Sequence, residues 1–191
     1  NVPDNEDYKL GCGAGFYVNA TQAPWSTNYN MYDYVTIELP EIITDNFRFS
    51  QNQIGIFGHS MGGGGAIQCG LKNNLYKSLS AISPICSLNK SMFAKEMSSY
   101  YLNNDEKLLN LYDPLTLIKQ HSKKFHDIKI DVGVNDEFLN DLFIDDFILA
   151  CEEKKQKISV NKHEGYDHGY YFIHSIIKDH IEYHAKILNN I

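Results

Sequence analysis

The sequence predicts an α/β fold, in which a mostly parallel sheet has helices on both faces. Two observations lead to this prediction. Short apolar segments that suit buried strands alternate along the chain with longer segments whose apolar residues recur at helical spacing. The chain has 191 residues, of which 43% are hydrophobic, so it is long enough to bury a substantial core. We therefore expect residues 1–191 to form one domain.

The first part of the chain is expected to contain a loop, two helices and a strand. Residues up to about Thr27 are rich in Gly, Asn, Asp and Pro, which favour a loop. A helix is expected over about residues 29–43, interrupted at Pro40 because proline lacks the N–H that a helix interior uses. Residues 53–57 predict a strand, and a glycine-rich turn then leads into a helix over about residues 62–72.

The second part of the chain continues the alternation. Further strands are expected at Ser78–Ile85, Ile128–Gly133 and Lys157–Asn161. Two or three short helices are expected between residues 87 and 127. Longer helices are expected at Leu139–Lys155, with an apolar stripe, and at Tyr170–Leu188.

Charge and composition argue against several classes of function. The net charge is -7 and Arg48 is the only arginine, so a nucleic-acid-binding surface is not expected. No apolar run approaches the ~20 residues that span a bilayer. The four cysteines are few and widely spaced, so we expect free, buried thiols rather than a disulfide framework at Cys12, Cys69, Cys86 and Cys151.

The strongest motif is the pentapeptide Gly58-His59-Ser60-Met61-Gly62, which fits the pattern G-x-S-x-G. It lies between a predicted strand and a predicted helix, the context in which a sharp turn presents a serine hydroxyl above the sheet. The glycines at both ends are expected because the turn leaves no room for side chains there. We therefore predict Ser60 as a nucleophile, with the Met61 N–H at the helix N-terminus as one oxyanion donor.

An acid is expected in a loop after a later strand. Asp136 follows the predicted strand that ends at Gly133, at the edge where sites of open α/β sheets cluster. The rival carboxylates are Asp131, which lies inside the strand, and the neighbouring Glu137. We choose Asp136 because a short turn after Gly133 brings it over the edge of the sheet.

The base is expected in the loop between the fourth strand and the last helix. His168 is our choice, and His163 is a rival that lies nearer the end of the strand. The chain order Ser60, Asp136, His168 is that of the α/β-hydrolases.

Metal and dinucleotide sites are not expected. His174, His180 and His184 are interpreted as polar positions on the surface of the last helix, without a carboxylate or thiolate partner at ligand spacing. The glycine-rich segment at residues 11–15 has no strand before it, so it does not predict a dinucleotide-binding turn.

Long segments of the chain, beyond the triad motif, resemble the S-formylglutathione hydrolase family, also called esterase D. They are GAGFYVNAT, PWSTNYNMYDYV, FGHSMGGGGA, SAISPIC, DVGVNDEFL and EGYDHGYYF. The resemblance implies an α/β-hydrolase fold and hydrolysis of S-formylglutathione to formate and glutathione, with side activity on short acyl esters. It also implies a cytoplasmic location, no cofactor and often a dimer. The family's nucleophile, acid, base and oxyanion donor fall on Ser60, Asp136, His168 and Met61.

Two departures from the family pattern stand out. Gly64 occupies a position where the family usually has histidine, which is expected to loosen the start of the helix or alter the pocket. The chain also resembles the C-terminal two-thirds of the family domain. We therefore expect the N-terminal strands and the second oxyanion donor to be missing, and one sheet edge to be exposed.

The sequence thus predicts a serine hydrolase that works by two-step acyl transfer. Two alternatives remain at this point: a general carboxylesterase whose substrate is not a glutathione thioester, and a catalytically impaired fragment.

Overall fold

Within the described residues, four parallel strands form one sheet, and they lie side by side in their order along the chain. They are β1 (Ile54–His59), β2 (Tyr76–Ile82), β3 (Ile128–Gly133) and β4 (Ile158–His163). The structure is a computed structural model that describes residues 2, 4–6, 10–13, 15–48 and 53–190. The predicted parallel sheet is confirmed, and each strand lies close to its expected position.

The first long helical segment begins and ends a few residues later than predicted. Helix α1 (Met31–Asp33), a π-helical segment (Tyr34–Glu38) and helix α2 (Leu39–Asn46) follow one another without a break. The prediction that Pro40 interrupts this helix is wrong. Pro40 lies just past the π-helical segment, whose wider hydrogen-bond spacing lets the chain stay helical around a residue that has no N–H to donate.

The remaining helices follow the predicted alternation, with one break. They are α3 (Met61–Lys72), α4 (Met92–Tyr101), α5 (Glu106–Asn110), α6 (Pro114–Gln120), α7 (Leu139–Leu142), α8 (Ile144–Glu153) and α9 (Tyr170–Leu188). The single helix predicted at Leu139–Lys155 is therefore two helices, separated at Phe143, whose φ is 54°. The Leu142 carbonyl accepts a hydrogen bond from the Cys86 backbone N–H at 2.7 Å. This carbonyl therefore bonds to a distant part of the chain instead of to an N–H of its own helix.

Successive side chains of strand β2 point to opposite faces of the sheet. Leu79 and Ala81 join the large hydrophobic core, against which α3 packs. Ser80 and Ile82 point to the opposite face, where Ser80 contacts His180 of α9 and Ile82 belongs to a second apolar cluster with residues of α9. Helices therefore cover both faces, as predicted.

Helix α9 buries one stripe of side chains spaced four residues apart: Phe172, Ile176, His180 and His184. The interpretation of His180 and His184 as surface positions is wrong, because they are only 0% and 7% exposed. The sheet beneath α9 presents polar side chains, among them Ser80 and Asp131, and the two histidines contact these. His174 lies off the stripe and is exposed.

Three of the four cysteines agree with the prediction of free, buried thiols: Cys69, Cys86 and Cys151. Cys12 is also free, but it is exposed, so that part of the prediction is wrong. Within the described residues, no helix combines the length and the apolar character that crossing a membrane requires. In the same residues, no group of three or more His, Cys, Asp or Glu side chains is arranged so that it could hold a metal ion.

Candidate active site

Ser60 occupies a sharp turn between β1 and α3. Its backbone has φ 57° and ψ -120°, in a region that L-residues rarely adopt. A Cβ atom on Gly58 would collide with the backbone carbonyl of Gly62, so the first glycine of the motif is required by this close approach. At Gly62 the nearest atom to an added Cβ would be the Tyr17 hydroxyl at 3.4 Å, an ordinary contact. The turn therefore depends on glycine more strongly before the serine than after it.

Backbone hydrogen bonds hold this turn in place. The Ser60 N–H donates to the Ile82 carbonyl of β2 at 2.9 Å. The Ser60 carbonyl accepts from the Gly64 N–H at 3.0 Å and from the Ile85 N–H at 3.2 Å. The segment that follows β2 thus supports the conformation of the serine from the side.

The structure brings Ser60, His168 and Asp136 together in one chain of hydrogen bonds. His168 Nε2 lies 2.8 Å from Ser60 Oγ, and His168 Nδ1 lies 2.7 Å from Asp136 Oδ2. Because a carboxylate only accepts hydrogen bonds, His168 Nδ1 carries the proton and Nε2 is free to accept from the serine hydroxyl. The Asp136 side chain is 0% exposed and that of His168 is 12% exposed. This arrangement can activate the serine as a nucleophile.

The loops that carry Asp136 and His168 are hydrogen-bonded to each other. The Asn135 N–H donates to the Tyr166 carbonyl at 2.9 Å, and the Gly165 N–H donates to Asn135 Oδ1 at 3.2 Å. Asp136 Oδ1 accepts from the Phe138 N–H at 2.9 Å, which orients the carboxylate within its own loop.

The rival candidates from the sequence lie outside this chain of hydrogen bonds. Asp131 and His163 pair with each other below the site, with His163 Nε2 2.6 Å from Asp131 Oδ1. Glu137 accepts the backbone N–H of His168 at 3.3 Å. Asp131 lies five residues before Asp136, and His163 lies five residues before His168. This spacing is the only sign of the pair in the sequence.

Two side chains that the sequence analysis did not single out pack on the imidazole of His168. The ring centroid of His59 lies 4.5 Å from that of His168, and the ring centroid of Phe138 lies 4.9 Å from it in a T-shaped arrangement. Burial, together with the nearby His168, lowers the pKa of His59 to about 4. His59 is therefore neutral near pH 7 and adds no positive charge beside His168. In the sequence, only the position of His59 next to Ser60 could have indicated that it packs on His168.

Met61 is the first residue of α3. Its backbone N–H is one of those at a helix N-terminus that have no acceptor within the helix, and it lies next to the serine. Such a group can donate to an oxygen that becomes negatively charged.

A cleft with a volume of about 1060 Å³ opens beside Ser60 and His168. It runs along the outer edge of β1, which is an edge strand of the described sheet. The lining is largely apolar and includes Tyr17, Leu39, Ile43, Phe57 and Tyr170. Phe57 is 42% exposed and Tyr170 is 86% exposed, so apolar surface remains open to solvent next to the hydrogen-bonded chain.

Gly64, where the resembled family has histidine, lies inside an intact helix α3. A Cβ atom at this position would collide with the Ile85 carbonyl oxygen. Glycine therefore lets the backbone of α3 approach the segment after β2 closely, and the expectation of a loosened helix start is not met.

Comparisons with known proteins show which proteins the chain is similar to as a whole. The family model described as "Putative esterase" matches residues 1–183. The S-formylglutathione hydrolase of Mus musculus is 49% identical over an alignment of 189 residues that covers 97% of this chain and 67% of that protein. That of Bos taurus is 48% identical over an alignment of 193 residues, gaps included, that covers 99% of this chain and 68% of that protein. The structure of an S-formylglutathione hydrolase from Agrobacterium tumefaciens superposes with a TM-score of 0.94 at 39% identity, covering 98% of this chain and 69% of that one.

Proposed function

Because the chain belongs to the S-formylglutathione hydrolase family of esterases, we propose that it hydrolyses S-formylglutathione to formate and glutathione. In this proposal Ser60 is the nucleophile, His168 the base and Asp136 the residue that orients the base. The observation that supports it most strongly is the pair of contacts at His168, 2.8 Å to Ser60 Oγ and 2.7 Å to Asp136 Oδ2.

The first step is acylation of the serine. His168 Nε2 takes the proton from Ser60 Oγ as this oxygen attacks the carbonyl carbon of the thioester. The carbonyl oxygen becomes negatively charged, and the Met61 N–H donates a hydrogen bond to it. The carbon–sulfur bond then breaks, the imidazolium returns the proton to sulfur, and glutathione leaves a formyl ester on Ser60. The Asp136 carboxylate stabilises the imidazolium throughout.

The second step is hydrolysis of this ester. His168 takes a proton from a water molecule as the water oxygen attacks the formyl carbon. The bond from that carbon to Ser60 Oγ breaks, and the proton returns to the serine oxygen, so formic acid leaves and ionises in solution. The reaction consumes one water and needs no cofactor.

A second candidate function is that of a general carboxylesterase. The largely apolar lining of the cleft next to Ser60 and His168, with Tyr17 and Met61, favours it because short aryl or alkyl esters can bind there without the polar contacts that a tripeptide thiol needs. The two candidates share the same chemistry at Ser60 and differ in the leaving group.

We also propose, on the family resemblance, that the protein acts in the cytoplasm and associates as a homodimer. Light scattering coupled to size-exclusion chromatography tests the association, and fractionation of cells that express the protein tests the location.

The proposed function is tested by measuring hydrolysis of S-formylglutathione and of p-nitrophenyl acetate by the wild-type chain and by Ser60→Ala. We expect Ser60→Ala to lower kcat for both substrates by at least about 10⁴-fold, because the nucleophile is lost. Ser175→Ala is the matched control, since Ser175 is exposed on α9 and its hydroxyl contacts only the Tyr171 carbonyl among the described residues.

The outcomes separate the candidates. Turnover of the thioester that depends on Ser60 supports the proposal. Turnover of the aryl ester alone supports the carboxylesterase. Absence of Ser60-dependent turnover of both substrates contradicts the proposal and identifies the chain as catalytically impaired.

A further inference from the structure

A buried carboxylate lies below the proposed active site, where it is hydrogen-bonded to side chains of β4 and lies within ion-pair distance of side chains on β3 and α9. Asp131 of β3 has a side chain that is 3% exposed. Its Oδ1 lies 2.6 Å from His163 Nε2 and 3.1 Å from Asn161 Nδ2, both on β4. Its Oδ2 lies 2.6 Å from Lys129 Nζ on β3 and 3.2 Å from His180 Nε2 on α9. The Asp131 carboxylate thus contacts side chains of β3, β4 and the last helix.

The pair of Asp131 and His163 lies at the base of the two loops that the mechanism uses. Asp131 comes five residues before Asp136, and His163 comes five residues before His168. Next to the pair, the Val134 N–H donates to the His163 carbonyl at 2.9 Å, which extends the contact from the strands into the loops. This bond joins the start of the loop that carries Asp136 to the strand residue from which the loop with His168 departs.

The ring of His163 also contacts the far side of the base loop. Its centroid lies 6.2 Å from that of Tyr166 in the loop and 5.3 Å from that of Phe172 in the first turn of α9. The loop between them, residues 163–169, is held at its start by His163 and at its end by α9. His168 lies in this loop, two residues before α9 begins.

Helix α9 is held to the sheet by a continuation of the same polar chain. His180 Nδ1 lies 2.7 Å from Ser80 Oγ, and Ser80 Oγ lies 2.8 Å from His184 Nε2. His184 Nδ1 lies 2.6 Å from Ser78 Oγ. Hydrogen bonds and ion pairs require defined directions, whereas apolar contacts tolerate sliding, so this chain specifies one position of α9 on the sheet.

From these contacts we propose that Asp131 and His163 are positioning residues for the reaction: their pairing fixes the loop of residues 163–169 so that His168 reaches Ser60 and Asp136 together. The inference rests on the proposed roles of Ser60, Asp136 and His168, and it is independent of which acyl substrate the enzyme uses.

The pKa of Asp131 agrees with a carboxylate that stays paired with His163. Burial raises the pKa of its carboxyl, but His180, Lys129 and His163 outweigh this and hold the pKa well below its usual range. These three are the titratable groups that face Asp131 from β3, β4 and α9. The carboxylate therefore stays charged through the range in which esterase activity is measured.

The test compares two substitutions at His163. The side-chain N–H groups of glutamine reach about as far as His163 Nε2, so His163→Gln keeps a donor for Asp131, whereas His163→Leu removes it. We measure kcat and KM for p-nitrophenyl acetate, with kcat expressed per site that a fluorophosphonate labels at Ser60. We expect His163→Leu to lower kcat by roughly 10- to 100-fold with little change in KM, because a small displacement of a catalytic group has that effect. His163→Gln should restore most of the loss.

A second measurement follows the hydrogen bond itself and needs no turnover. The proton on His168 Nδ1, bonded to Asp136, gives a downfield signal in the proton NMR spectrum that Asp136→Asn would remove. We expect this signal to broaden or disappear in His163→Leu and to persist in His163→Gln. It reports on the positioning even if the substrate assignment of the wild-type chain is wrong.

Combining substitutions gives a further check. In an Asp136→Asn background, His163→Leu should have little additional effect on kcat, because a positioning residue acts through the interaction that is already lost. Asp131→Asn should resemble His163→Leu. The proposal is overturned if His163→Leu lowers the melting temperature but keeps both the wild-type kcat per labelled site and the downfield signal. It is equally overturned if the two losses in kcat simply add.

Discussion

Ser60 holds a backbone conformation that side-chain-bearing residues rarely adopt, and the residues around it explain how. Both its N–H and its carbonyl are hydrogen-bonded, to Ile82 on one side and to Gly64 and Ile85 on the other. Strain of this kind persists only where the surroundings fix it, and it is often found at functional sites. The consequence here is that the hydroxyl points at His168 instead of lying along helix α3.

The first residue-level prediction concerns Asp136. Asp136→Asn keeps the shape of the side chain but places an amide where His168 Nδ1 now finds a carboxylate, which favours the wrong tautomer of the imidazole. We expect kcat for p-nitrophenyl acetate to fall by about 10⁴-fold. Steady-state kinetics at pH 7.5 would check this.

Glu137→Gln is the matched control for this substitution. It removes a carboxylate from the next residue, but an amide oxygen can still accept the backbone N–H of His168. A loss in kcat as large as that of Asp136→Asn would mean that the acid has been assigned to the wrong residue.

At the scale of elements, helix α3 approaches the segment after β2 more closely than side chains would allow. Its first turns contain four consecutive glycines, at residues 62–65. A Cβ at Gly64 would collide with the Ile85 carbonyl, whereas a Cβ at Gly62 would meet only the Tyr17 hydroxyl at 3.4 Å. The two positions are in the same helix and differ in the space around them.

This difference predicts opposite effects of alanine. Gly64→Ala should lower the free energy of unfolding by about 1–3 kcal/mol, because the backbone must move to accept the methyl group. Gly62→Ala should be neutral or stabilising by up to about 1 kcal/mol, because alanine favours the helix. Urea denaturation of both variants measures the difference. Equal free energies of unfolding would contradict the close approach of α3 and residue 85.

Two elements differ in whether the sequence signals their structure. The stripe at residues 172, 176, 180 and 184 has a spacing of four, so the sequence contains the signal that His180 and His184 share the buried face of α9 with Phe172 and Ile176. The break at Phe143 has no such signal, because it depends on the bond from Cys86 to the Leu142 carbonyl.

For the whole molecule, buried titratable groups make stability depend on pH. Burial and the neighbouring His180 lower the pKa of His184 from 6.5 to about 4. The folded protein therefore binds this proton only near pH 4, while the unfolded chain binds it already near pH 6.5. Between these values the unfolded state holds more protons, so acid favours unfolding. His59 acts in the same direction and in the same range.

We therefore expect the free energy of unfolding to decrease as the pH falls from 6.5 to 4, with His184 contributing on the order of 2 kcal/mol. Below about pH 3.8, protonation of Asp131 in the unfolded chain adds a further loss, because its folded pKa is low. Urea denaturation at pH 7, 5.5 and 4.5 measures the first range.

The control for this prediction uses two histidines of the same helix. His184→Gln should flatten the dependence of stability on pH, since the titrating group is gone. His174→Gln should leave it unchanged, because His174 is exposed. The same slope in both variants would show that His184 is not a source of the acid sensitivity.

The sequence by itself determined what depends on neighbours along the chain. The alternation of strands and helices, the turn at Ser60 and the loops that carry Asp136 and His168 follow from local spacing, because a strand end, a turn and a helix start are each specified by a few adjacent residues. Tertiary structure alone decided which distant groups pair. It paired Asp131 with His163, buried His180 and His184 over polar strand positions, and divided the helix at Phe143. The physical reason is that periodicity reports which side chains share a face, while burial and hydrogen bonding depend on the element that covers that face.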